Sequence, residues 1–118
     1  MTNARHILGR YGEQAATDFI ATLGYELLDR NWHHALGELD IVANGGRQVV
    51  FIEVKTRNGR GFGHPFEAIT STKILKMRQL VGEWCRAYRV TGVQVRLDAI
   101  SVLLTGGKVH IEHLKQVF

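Results

Sequence analysis

The segment Gly37-Glu38-Leu39-Asp40-Ile41-Val42-Ala43, the turn Asn44-Gly45-Gly46-Arg47 and the run Gln48-Val49-Val50-Phe51-Ile52-Glu53-Val54-Lys55-Thr56 decide how this chain folds. Two apolar runs rich in β-branched and aromatic residues flank a short link whose glycines accept the positive φ of a tight turn. The pattern predicts an antiparallel hairpin with strands at Glu38–Ala43 and Gln48–Thr56. Side chains alternate along a strand, so Glu38 shares a face with Asp40, and Glu53 shares one with Lys55, Phe51 and Val49. An even-numbered loop puts both sets on the same side. With the pairing centred between Gly46 and Arg47, Asp40 stands opposite Glu53 with β-carbons about 5 Å apart. An odd loop or a bulge separates them.

Facing carboxylates repel, and they stay ionised together when a cation lies between them. Hard oxygen ligands with no cysteine or paired histidines nearby select Mg²⁺ or Mn²⁺ over zinc. Lys55 can point its ammonium at the same spot. A metal to polarise a phosphodiester, a held water and a lysine to balance developing charge are the minimal equipment of a metal-assisted nuclease. A plain Glu53–Lys55 or Asp40–Lys55 ion pair is the competing account, because charges ending an apolar strand are costly unless paired or functional.

Outward from the hairpin, the chain alternates helix and strand signals. A first helix is expected over Asn3–Leu23, capped by Thr2 or Asn3 and closed by Gly24. Its apolar stripe reads Leu8, Tyr11, Ala15, Phe19, Leu23, with Gly9, Glu13, Ala16 and Ile20 along one edge, where Glu13 can face inward. Tyr25–Trp32 reads as a strand. Arg57–His64 reads as a glycine-punctuated basic loop ending at Pro65. A second helix is expected over Thr72–Tyr88, capped by Thr70 or Ser71, and strands follow near Val93–Leu104 and Lys108–Leu114. The order αβββαββ predicts an α/β sandwich around a mixed sheet, as one domain over residues 1–118.

Composition narrows the function classes. The single cysteine, Cys85, excludes an internal disulfide and a cysteine-rich zinc module and fits a reducing compartment. The first ten residues lack the apolar region of a signal peptide and no run is long enough to span a membrane, so the expected address is the cytoplasm. The net charge is +4, with ten arginines among the fifteen basic residues. Between Lys55 and Arg89 eight basic residues face two acids, the footprint of a polyanion binder, or else a solvated helix face plus a basic loop. Arg57, Arg60, Lys73, Lys76 and Arg78 are the candidate phosphate contacts. His64, in the same loop, is a phosphate contact or an exposed turn residue. Trp32 and Phe62 either stack on bases or pack. The histidines do not group as zinc ligands, since His110 and His113 face opposite sides of a strand. Asp98 beside Arg96 reads first as an internal ion pair and second as a further metal ligand.

Gly9-Arg10-x-Gly12-Glu13-x-x-Ala16, Gly24-Tyr25, Gly37-Glu38-Leu39-Asp40-Ile41-Val42, Phe51-Ile52-Glu53-Val54-Lys55-Thr56-Arg57 and Arg96-Leu97-Asp98 resemble the YraN-like proteins of bacteria over nearly the whole chain. That resemblance implies a restriction-endonuclease-like three-layer sandwich of the PD-(D/E)XK class, distantly similar to archaeal Holliday junction resolvases. It places Asp40, Glu53 and Lys55 on the metal and catalytic positions of the class and Glu13 on the resolvases' extra acid. It also implies a homodimer, because cutting two strands symmetrically calls for two sites. The reading is a Mg²⁺- or Mn²⁺-dependent endonuclease-like protein acting on DNA, branched or damaged forms included. The rival is a DNA-binding module on the same fold without turnover.

Overall fold

The computed structural model describes residues 4–59 and 69–117, so Arg60, Phe62 and His64 of the basic loop lie outside the described residues. The elements are α1 (Ala4–Thr22), β1 (Glu26–His34), β2 (Gly37–Asn44), β3 (Gln48–Asn58), α2 (Ser71–Ala87), β4 (Gln94–Thr105) and β5 (Lys108–Leu114). The five strands form one sheet in chain order. Neighbours are antiparallel except β3 and β4, which run parallel because α2 carries the chain back across the sheet between them. The sheet is therefore mixed, as the αβββαββ order predicts.

Among the described residues, one helix covers each face. Ala16 and Ile20 of α1 pack with Ile41, Ala43, Val50, Ile52, Ile100 and Val102. Met77, Leu80, Val81 and Trp84 of α2 pack with Leu39, Val42, Phe51 and Leu97. With both faces covered, β3 needs apolar side chains on both sides, which is why its sequence is a continuous apolar run. Each such side chain contributes roughly 1.5–3 kcal/mol by leaving water.

The buried line of α1 differs from the expected stripe. Tyr11 and Leu23 are 54% and 43% exposed, whereas Ala16 and Ile20 are fully enclosed. The reason is close approach. A β-carbon added to Gly12 would collide with the side chain of Thr56 on β3, so the small residues of α1 mark where the helix lies against the sheet. That rotation turns Glu13 inward, to 12% side-chain exposure. The second helix starts as expected, with the Thr70 hydroxyl accepting a hydrogen bond from the Lys73 amide at 3.2 Å.

Asp98 forms the ion pair with Arg96 that the sequence favours, within a larger buried network. Its Oδ1 accepts from Arg96 Nε at 2.8 Å and its Oδ2 accepts from another guanidinium nitrogen at 2.8 Å. His113 Nε2 lies 2.7 Å from Oδ2, and the Gln116 amide donates to Oδ1 at 3.0 Å. Arg96 also donates to the Tyr25 hydroxyl at 2.7 Å, so the network ties β4 to β5 and to the start of β1. No helix among the described residues is long and apolar enough to cross a membrane.

Candidate active site

The β2–β3 ladder runs from Asn44–Val49 to Ile41–Ile52 and stops there, one step before Asp40 and Glu53. This is the even register that the sequence suggests. Beyond it the strands part, while β3 continues alongside β4 as far as Asn58. The Val54 amide donates to Asp40 Oδ2 at 2.8 Å, so a side chain occupies the place of a ladder bond.

The parting also turns β2. Leu39 packs on the α2 side and Ile41 on the α1 side, which strict alternation forbids, so the strand rotates at Asp40. On β1, Asn31 stands at the matching place with φ of 54°. Asp40 consequently turns toward α1, where it lines a cleft of about 380 Å³ with His6, Arg10, Glu13, Asn31 and Glu38. Among the described residues, the carboxylates of Glu13, Glu38 and Asp40 come within 4.8 Å of one another. Arg30 Nε donates to Glu13 Oε1 at 3.2 Å and fixes that side chain.

Glu53 belongs to the other half of the opening. Its Oε1 lies 3.5 Å from Lys55 Nζ and 3.8 Å from Lys73 Nζ. It lines a second cavity of about 150 Å³ with Gly37, Glu38, Ile69, Lys76, Met77 and Leu80.

Three acids against two arginines, Arg10 and Arg30, leave the α1 side acidic. Burial, then Glu53, push Asp40 up to about 7, with Glu13 and Glu38 adding to the rise and the Val54 amide opposing it. Burial works against the charge on Lys55, but its contacts with Lys73 and Glu53 hold its pKa above the ordinary lysine value. Lys73 is held below that value, first by its contact with Lys55 and then by burial.

The structure thus places Asp40 and Glu13 in the α1-side cleft and Glu53, paired with Lys55, on the α2 side, so the facing Asp40–Glu53 pair expected from the hairpin is not formed, because the ladder ends and the strand turns before it. Glu38, left open by the sequence, joins the acids. Lys73 and Lys76 line the α2-side cavity, whereas Arg78 is exposed well round the helix from them. Arg57 lies on β3 beyond Lys55. Arg30 and Asn31 went unnoticed in the sequence, because nothing in residue spacing links β1 to Glu13.

A mixed sheet with one helix on each face, opened at a strand end over carboxylates and two lysines, defines an α/β protein with a divided acidic and basic cleft. The model of the uncharacterised protein family UPF0102 matches residues 12–102. A UPF0102 protein of Beutenbergia cavernae is 41% identical over 97% of this chain and 98% of its own length. One of Nocardia farcinica is 43% identical over 97% and 91%, and one of Leifsonia xyli is 48% identical over 81% of each. The chain belongs to family UPF0102, the YraN-like proteins.

Proposed function

We propose that this protein is a metal-dependent endonuclease that hydrolyses phosphodiester bonds of DNA, branched or damaged forms included. The observation that carries the reading is the set of three carboxylates within 4.8 Å, beside a glutamate paired with lysine. The element order and the parallel β3–β4 pair accord with the restriction-endonuclease-like fold that the resemblance implies.

The donor set suits Mg²⁺ or Mn²⁺. All three ligand atoms are carboxylate oxygens, and their mutual repulsion is what a divalent cation relieves. Asp40, Glu13 and Glu38 would hold the ion; Glu53, which the resemblance also makes a metal ligand, lies outside that set and pairs with Lys55 and Lys73. Bound there, the ion would polarise the phosphodiester and acidify a water molecule. Arg30 holds Glu13 in place, and the Val54 amide fixes Asp40. Lys55 offsets charge that gathers on the phosphate. Arg57, Lys73 and Lys76, with Arg60, hold the DNA backbone, which carries little sequence information. Two copies of the chain would serve two strands.

Calorimetric titration with Mn²⁺ tests the metal site. One ion per chain is expected to bind wild type, and binding is expected to vanish in Asp40→Ala and to weaken about 10- to 100-fold in Arg30→Met, which removes only the support of Glu13. Absence of binding at millimolar Mn²⁺ would favour the DNA-binding module without turnover.

A further inference from the structure

We propose that Lys73, from the first turn of α2, is a catalytic cation that works beside Lys55 by binding a non-bridging oxygen of the phosphate being cut. The proposal rests on the nuclease reading and gives Lys73 a part in the chemistry beyond a grip on the DNA backbone.

Two ammonium groups from different elements converge on a single oxygen, Glu53 Oε1. One carboxylate cannot neutralise both, so the α2 side of the opening keeps a surplus positive charge. Across it, Glu13, Glu38 and Asp40 outnumber Arg10 and Arg30 and keep the α1 side the more acidic of the two. One side is therefore suited to a cation and the other, which holds Glu53, to an anion. A phosphodiester that enters meets both.

Placement and exposure distinguish Lys73 from a fortuitous neighbour. The first turn of α2 contains no acid, and a lysine there opposes the helix dipole, which favours negative charge at that end. The pairing with Glu53 compensates. Lys73 is 44% exposed against 29% for Lys55, so it is the cation more open to an arriving phosphate. In hydrolysis the water oxygen bonds to phosphorus as one P–O ester bond breaks. One water proton goes to the leaving oxygen and the other stays on the new phosphate or passes to solvent. Lys73 exchanges no proton and stabilises charge on the oxygens that remain.

The test is cleavage kinetics with Mn²⁺ on whichever labelled DNA wild type cuts fastest, for wild type, Lys73→Ala and Lys73→Arg, with Mn²⁺ titration and thermal unfolding of each. At saturating DNA, kcat is expected to fall about 100-fold in Lys73→Ala and to recover in part in Lys73→Arg, with Mn²⁺ affinity unchanged. An unchanged kcat with only KM raised would overturn the proposal and leave Lys73 as a remote grip. Parallel loss of Mn²⁺ affinity would overturn it too, since Lys73 would then act through the acids. A wild type that cuts no DNA removes the nuclease reading itself, and this proposal with it, before any variant is compared.

Discussion

In the metal-free protein, Asp40→Asn raises the midpoint of thermal unfolding, and the gain grows as pH increases from 4 to 8. The sign follows from the raised pKa of Asp40, which moves from 3.8 to about 7 on folding, chiefly by burial and the nearby Glu53. Between those values the folded chain holds a proton that the unfolded chain has released, so stability declines as pH rises. It is fully present below the unfolded value and lost through about pH 7. Asparagine keeps an acceptor for the Val54 amide and carries no charge to lose. At 1.36 kcal/mol per pKa unit the gain at pH 8 is roughly 4 kcal/mol, or on the order of 15 °C for a chain of this size. Saturating Mn²⁺ should reverse the order, because wild type alone gains the binding free energy. Differential scanning calorimetry at pH 5 and pH 8, with and without Mn²⁺, checks both halves. A variant less stable than wild type at pH 8 without metal would mean that the acids do not strain the fold.

Asp98→Ala is the substitution expected to cost most. It strands the Arg96 guanidinium and leaves His113 and the Gln116 amide without the acceptor they share. Removing one partner of a buried, hydrogen-bonded charge pair costs about 3–5 kcal/mol, a large part of a total near 5–15 kcal/mol. Urea unfolding should show the midpoint falling by that amount. The network holds Asp98 below the ordinary carboxylate range despite its burial, so its contribution is present above the unfolded value and lost on acidification. Asp98 touches Arg96, His113 and Gln116 rather than the three clustered acids, so Mn²⁺ affinity of the folded fraction should persist. Loss of metal binding without loss of stability would instead make Asp98 a ligand.

The hairpin and its register were legible because the constraint is local. The glycine-containing turn and the period-2 alternation together leave few alignments, and Ile41–Ile52 is the pair they select. Glu13 facing inward was legible from the small residues around it. The stripe of α1 was misplaced because Tyr11 is apolar enough to be counted as core, while the actual contact is made by Gly12, which periodicity does not register. Glu38 could not be assigned from alternation because the strand rotates at Asp40 as the ladder ends. Arg30 and the Lys73–Glu53 contact are tertiary juxtapositions, set by how β1 and α2 pass the opening.

Cleavage of labelled duplex, single-stranded, flap and four-way-junction DNA, with Mg²⁺ or Mn²⁺, tests the central claim most directly when wild type is run beside Glu53→Ala and Lys55→Ala. The account predicts metal-dependent cutting by wild type that disappears in both variants. DNA binding without cutting, unchanged by either substitution, would contradict it and make the protein a binding module.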